Sequence, residues 1–550
     1  MARIRNPVLR GFHPDPSILK VGTDYFIAVS TFEWFPGVLI YRSDDLANWE
    51  LIAAPLGRRS QLNMAGNQES GGIWAPCLSY CDGLFYLIYT DVKNWKNGPF
   101  RDHHNYLATS RDIAGEWSDP VFLNSSGFDP SLFHDDDGRK WLVNMRWNYL
   151  PGENSFDGIV LQEYDPGQKK LTGPVENIFK GTDLGLTEAP HLYKRNGYYY
   201  LVTAEGGTSY KHSVTMARSK SLRGPYELHP GNPILTSWNN PDLALQKAGH
   251  ASFADGGDGF WYMAHLCGRP IRAAKTMEIL RNRKEAIHGS EMRGICPLGR
   301  ETAVQKYEWR KDGWIYNTNG TNEPDEYVEI TGAYMKQEMT ETTDTFDRTR
   351  LPLHYQSLRI PMSDFSSLTE RRGFLRIFGR ESISSKFGQA LIARRQQHFS
   401  FTVETALEYR PVNLQQMAGL ILRYDEYNQY YLRVTYNEKR KTRTLGIIVF
   451  DNGRFDMPLS ENEIDISGGT GKIFLKAAVE YEDLRFSYSF DGRDFTEIGK
   501  TLNAGILSDE YAEPLGFTGA FAGMACQDMS GNSLYCDFEY FRYAANETDR

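Results

Sequence analysis

Along the first three hundred or so residues, short apolar stretches alternate with polar turns in a pattern that returns five times. DPSILKVGTDYFIAVSTF begins at Asp15, APCLSYCDGLFYLIYTDV at Ala75 and DPSLFHDDDGRKWLVNMRW at Asp129. APHLYKRNGYYYLVTAEGG follows at Ala189 and ASFADGGDGFWYMAHLCG at Ala251. Each opens on a small or acidic residue, usually followed by proline. A short apolar strand, a Gly-containing turn and an aromatic strand come next. The turns VGTD, CDG, DDDG, RNG and GGDG carry the Gly, Asn and Asp that tolerate the positive φ of a tight hairpin. DDDG, residues 135–138, is similar to part of a calcium loop but lacks the ligand at the twelfth position, so it reads as a hairpin turn. Pro16, Pro76, Pro130, Pro190 and Ala251 are 60, 54, 60 and 61 residues apart. A repeat of that size with about four short strands is a propeller blade. Five of them predict an all-β chain whose first part is a five-bladed β-propeller.

Beyond about residue 310 the repeat stops. KDGWIYNTNGTNEPDEYVE (311–329) is polar and rich in Gly, Asn and Pro, and alternating strands of another kind follow, such as FSFTVETALEYR, MAGLILRYDEYNQYYLRVTY and TLGIIVF. Short strands parted by polar turns predict a β-sandwich. The expected organisation is a propeller over 1–310, a linker over 311–340 and a sandwich over 341–550. EILRNRKEAIHG (278–289) reads as either one helix or a long loop.

Composition narrows the function. Lys and Arg total 61 against 70 Asp and Glu, a formal net charge of −9, and no basic run supplies the footprint of a nucleic-acid binder. The start, MARIRNPVLRGF, has no apolar signal-peptide core, and no stretch reaches the roughly 18 apolar residues of a membrane span. A cytoplasmic protein is the expectation. The six cysteines are too few and too scattered for a disulfide framework, and Cys77 and Cys81 have no second pair to complete a zinc site. With 32 Tyr, 30 Phe and 11 Trp, aromatic faces are available for stacking on sugars or bases.

The innermost strand of each blade lines the propeller's channel, so the residues opening those strands gather round its axis. There the sequence offers Asp15, Trp74, Asp129, Glu188 and His250, with the alignment open by one position in blades two, four and five. The prolines fix φ and favour an extended preceding residue, which aims its side chain at the axis. Three carboxylates converge, and like charges in a low-dielectric pocket push at least one pKa up. One charged and one protonated carboxylate near neutral pH are what hydrolysis of a glycosidic bond requires. Phe32, Trp34, Phe35 and Trp74 are candidate sugar-stacking rings. His250 is a candidate cation or water ligand, or a hydrogen-bonded core residue. His13 and His134 read as structural.

NPVLRGFHPDPSI, GGIWAP, GFDPSLF, LTEAPHLY, KAGHAS, CPLGRETAVQKYEW and GFTGAFAGM stand in this order along nearly the whole chain. Together they resemble the glycoside hydrolase family 43 β-xylosidases of the propeller-plus-sandwich subgroup. The resemblance implies an axial active-site pocket partly closed by a concanavalin-like sandwich. It implies that Asp15 is the general base, Glu188 the general acid and Asp129 the carboxylate that tunes and orients the acid. It also implies that Arg300 binds substrate hydroxyls, that Phe32 and Trp74 wall the terminal sugar subsite, and that Phe517 or Phe521 reaches the pocket from the sandwich. The activity implied is inverting exo-β-1,4-xylosidase, releasing xylose from the non-reducing ends of xylooligosaccharides, with side α-L-arabinofuranosidase activity. Mainly arabinofuranosidase activity is one alternative and a non-catalytic carbohydrate-binding protein another. No cofactor is required, although some family members hold Ca2+ on the axis through a histidine at the place of His250. Homodimers or homotetramers are typical of the subgroup.

Overall fold

The computed structural model describes residues 2–96, 98–283, 292–330, 341–469, 471–513 and 515–546. They form two compact units: Met1–Leu62, Gly71–Arg269 and Arg300–Lys336 make the first, and Asn63–Ser70, Pro270–Gly299 and Gln337–Arg550 the second.

The first unit is a five-bladed β-propeller, each blade an antiparallel sheet built outward in chain order. The inner strands are Ser17–Val21, Gly72–Cys81, Ser131–His134, Glu188–Arg195 and Gln246–Asp255. Each packs against the next, and the fifth returns to the first. The serine that opens the DPS and HAS versions of the repeat stitches neighbouring blades together. Ser17 Oγ accepts from Leu78 N–H at 3.1 Å, and Ser131 Oγ donates to the Pro190 carbonyl at 2.6 Å. Ser252 Oγ accepts from Ile18 N–H and donates to the Pro16 carbonyl, at 2.8 and 3.0 Å. Apolar cores fill the wedges between blades, for example Ile88, Leu107, Leu132 and Leu142 between blades two and three. The alternation of the strands thus buries one set of side chains against each neighbouring blade.

The ring closes at the N-terminus. Ala2–Arg5 pairs with Tyr327–Ile330, and Asn6 exchanges hydrogen bonds with Val304, at 2.8 Å each way. His13 N–H donates to the Arg300 carbonyl at 2.9 Å. The fifth blade takes its outer strands from Glu301–Trp309 and Ile315–Asn317. Residues read from composition as a linker therefore belong to the propeller. A three-residue edge strand carries little periodic signal, and the excursion over 270–299 parts it from its repeat. Among its described residues that excursion contains one helix, Ala274–Asn282, which buries Thr276, Met277 and Leu280. It begins four residues before the stretch suspected of helicity, whose 284–289 part lies outside the described residues.

The second unit is a β-sandwich. One sheet runs Thr442–Asp451, Gln429–Asn437, Gln416–Arg423, Phe521–Asp528, Ala390–Arg395, and the other includes Leu375–Phe378, Tyr535–Ala545, Ser400–Glu408, Lys472–Glu480 and Asp483–Ser489. Inward residues of both, among them Val403, Leu420, Leu432, Leu475, Met524 and Phe538, form one buried core. No helix among the described residues is long and apolar enough to cross a membrane.

Candidate active site

The backbone settles which residues are equivalent at the blade openings. Asp15, Ala75, Asp129, Ala189 and His250 all have positive φ, at 56°, 39°, 54°, 51° and 44°. The residue before each proline is therefore left-handed, where an extended conformation was expected. Side chains seldom adopt this region, and its recurrence at five equivalent places marks a site whose surroundings enforce it. Trp74 and Glu188 stand one residue upstream. They precede ladder irregularities between Trp74 and Cys77 and between Glu188 and His191, with a similar one between Gly249 and Ala251. Such bulges re-aim side chains.

Asp15, Asp129 and Glu188 are 4%, 6% and 9% exposed. Asp15 is held from two sides: Ser30 Oγ donates to Oδ2 at 2.6 Å and Arg300 Nη1 to Oδ1 at 3.1 Å. Ser30 also accepts from Ala75 N–H at 2.8 Å, tying the carboxylate to the opening of blade two. Asp129 Oδ2 accepts from Ala189 N–H at 3.1 Å, the residue directly after Glu188. Arg300 also donates to Thr208 Oγ1 at 3.3 Å, and its guanidinium lies 5.1 Å from the centre of the Phe32 ring. His250 Nδ1 is 3.7 Å from Asp15 Oδ1, and His212 Nε2 is 3.9 Å from Glu188 Oε1.

Burial, then the negative charge of Asp15, raises the Glu188 pKa to about 8, against a smaller opposing pull from Arg300. Asp129 is also raised, by burial and by the charges of Glu188 and Asp15, with the Ala189 amide and Arg300 opposing. The site thus keeps protons on the Asp129–Glu188 side near neutral pH and sets its cation beside Asp15. His250 is lowered by burial, which outweighs the attraction of Asp15.

One wall is aromatic. Phe32 exchanges backbone hydrogen bonds with Ile73, at 2.9 and 3.0 Å, so its ring lies 5.7 Å from that of Trp74. Trp74 in turn meets Phe128 edge-on at 5.7 Å and His103 at 5.8 Å. Phe32 is buried and Trp74 half-buried, while Trp34 and Phe35 are both fully buried. His13 Nε2 meets Tyr41 Oη at 2.6 Å and His134 Nε2 meets Ser79 Oγ at 2.9 Å, both as packing contacts of the blades. Phe517 and Phe521 belong to the second unit: the Phe517 N–H donates to Ser70 Oγ at 3.1 Å, and Phe521 is buried under Arg395.

Among the described residues no group of three or more His, Cys, Asp or Glu side chains is arranged to hold a metal ion. Calcium takes about six to eight oxygen ligands. The protein groups beside His250 do not by themselves make such a site. The DDDG segment is a hairpin turn, with Asp135 N–H on the Arg139 carbonyl at 2.9 Å and Asp135 paired with Lys194 at 2.5 Å.

A buried trio of carboxylates, two of them with raised proton affinity, set at the axis of a five-bladed propeller, is the apparatus of a glycoside hydrolase. The family model of glycosyl hydrolases family 43 matches residues 4–315, and that of the β-xylosidase C-terminal concanavalin A-like domain matches residues 343–544. The chain belongs to glycosyl hydrolases family 43. It is 50% identical over 547 residues to a β-xylosidase of Bacillus subtilis, covering 98% of this chain and 99% of that one. It is 48% identical to xylosidase/arabinosidase 43B of Humicola insolens, over 99% and 98% of the two chains. The crystal structure of a xylan β-1,4-xylosidase from Bacillus halodurans superposes with a TM-score of 0.91 at 50% identity, covering 98% of this chain and all of that one.

Proposed function

We propose that the protein is an exo-acting, inverting β-1,4-xylosidase that releases xylose from the non-reducing ends of xylooligosaccharides, with a secondary α-L-arabinofuranosidase activity. The observation that carries this reading is the division of labour among the three axial carboxylates. Glu188, with its pKa near 8, holds a proton at neutral pH and serves as the general acid on the glycosidic oxygen. Asp15, between Arg300 and Ser30, serves as the base that removes a proton from the attacking water. Asp129, fixed by the amide of Ala189, orients the acid, whose proton affinity is raised by burial and by Asp15. Arg300 and Thr208 offer hydrogen bonds to sugar hydroxyls, and Phe32 and Trp74 form the stacking wall. The named activities of the Bacillus and Humicola relatives support the sugar assignment. A homodimer or homotetramer is part of the same proposal, on family resemblance alone.

Stereochemistry is the direct test. With an aryl β-D-xyloside, which releases a single xylose, followed by proton NMR, α-xylose is expected to appear first, because water attacks the face opposite the leaving group. β-Xylose first would overturn the inverting mechanism. Parallel turnover of aryl β-D-xyloside and aryl α-L-arabinofuranoside gives the ratio of the two activities, with the xyloside expected to be faster.

The pH profile tests the acid. Glu188 must be protonated to act, and its pKa is raised from 4.5 to about 8. For xylobiose, kcat/KM should therefore hold up to neutral pH and fall about tenfold per unit once pH passes roughly 8. A profile still level at about pH 10 would remove Glu188 from the role of general acid.

A further inference from the structure

Glu188 has a histidine neighbour, His212, with no part in the proposed reaction. His212 stands just ahead of the third strand of blade four, Ser213–Ser219, and is fully buried. Its Nε2 lies 3.9 Å from Glu188 Oε1, and neither ring nitrogen makes a hydrogen bond of good geometry, although the Lys247 main chain lies close enough to favour the ring's protonated form. Buried side-chain nitrogens without a well-formed hydrogen bond are rare enough to call for a cause. The placement of this ring is also built in. A Cβ on Gly249 would come within 2.3, 2.4 and 2.5 Å of three His212 ring atoms, so the imidazole lies against the main chain of the blade-five inner strand and only glycine admits it there. Burial, with the Arg300 charge nearby also opposing protonation, keeps the ring neutral against the opposite effect of the Lys247 main chain.

A neutral imidazole always carries one N–H. At 3.9 Å it makes no hydrogen bond to Glu188 at rest, and a protonated Glu188 does not need one. The demand arises during the reaction. As the proton passes from Glu188 to the glycosidic oxygen and the bond from that oxygen to the anomeric carbon breaks, a carboxylate is left in a buried site already holding Asp15 and Asp129. We infer that His212 is a positioning residue for the general acid, its Nε2–H closing on Glu188 as the carboxylate forms and so stabilising the transition state of leaving-group departure. The inference rests on the reading of Glu188 as the general acid. His212 keeps its own proton throughout, and the proton lost by Glu188 leaves on the departing alcohol.

The experiment compares His212→Phe, which keeps a ring but no donor, with His212→Gln, which keeps an N–H near the Nε2 position. Each is assayed on xylobiose, whose leaving group needs protonation, and on dinitrophenyl β-D-xyloside, whose leaving group does not. Thermal melts check that both variants are folded. A hydrogen bond to a charged group corresponds to about a 10- to 100-fold effect. His212→Phe should lower kcat on xylobiose by about that factor while changing the dinitrophenyl substrate less than about threefold, and His212→Gln should recover most of the loss. Equal losses for the two variants, or equal losses on the two substrates, would assign His212 to packing alone and overturn the inference, as would an unchanged kcat in both. Glu188→Gln is run alongside. If it too shows no preference for the activated substrate, the acid assignment fails, independently of His212.

Discussion

Replacing Glu188 by Gln is expected to lower kcat on xylobiose by about 10²- to 10⁴-fold, the range contributed by general acid catalysis. The loss on dinitrophenyl β-D-xyloside should stay within about tenfold. The variant keeps the volume and shape of the side chain and removes the transferable proton. A xylose leaving group departs as a strongly basic alkoxide unless it is protonated, whereas a dinitrophenolate departs unaided. Losses that are equal on the two substrates would mean that Glu188 acts on binding or on structure. Folding gives a second, opposite readout. Glu188 has its pKa raised on folding, from 4.5 to about 8, so its contribution favours the folded state at low pH and is lost as pH rises through that interval. Gln at 188 does not titrate. In thermal melts the variant should match the wild type below about pH 4.5, gain on it progressively up to about pH 8, and hold that advantage above. Lower activity together with higher stability at alkaline pH is the signature of a group kept protonated for its chemistry.

The propeller was legible in the sequence because its period is carried by features that survive in a single chain: proline at a strand start, Gly or Asn at a hairpin turn, aromatics on the following strand. What the period could not show is a bulge. Trp74 and Glu188 lie one residue ahead of the positions equivalent to Asp15 and Asp129, and a one-residue irregularity leaves no trace in a spacing of 54 to 61 residues. The edge strand Ile315–Asn317 was hidden by its length, three residues inside a stretch rich in Gly, Asn and Pro. Asp15, Asp129 and Glu188 were visible because they recur at the blade openings, and Arg300 only through resemblance to a family. Ser30, Thr208 and His212 carried no signal. A serine at the end of a strand and a histidine before one are unremarkable in a list. Their meaning comes from strand pairing within a blade, which brings Ser30 to Asp15 and His212 to Glu188, and from the ring of blades, which sets Thr208 beside Arg300.

Asp15→Asn is expected to cost about 10²-fold or more in kcat, and to cost it equally on xylobiose and on the dinitrophenyl substrate. That equality separates base from acid. Every leaving group needs a water activated for attack, so the loss of the base is blind to what departs. Asn is the informative replacement for three local reasons. Asp15 sits at φ 56°, a conformation that Asn tolerates nearly as well as Asp. Its amide oxygen can still accept from Arg300, and its NH2 group can face the Ser30 hydroxyl, which reverses its role, at the two places where the carboxylate is held at 3.1 and 2.6 Å. Alanine would instead leave a buried guanidinium without its carboxylate, a change that costs about 3–5 kcal/mol where the pair is fully enclosed and that would confound lost chemistry with lost structure. Asn removes the negative charge that contributes to raising Glu188, so the alkaline limb of the residual activity should move below its wild-type position near pH 8. Near wild-type turnover would return Asp15 to a structural role at the opening of blade one. Loss confined to xylobiose would exchange the roles of Asp15 and Glu188.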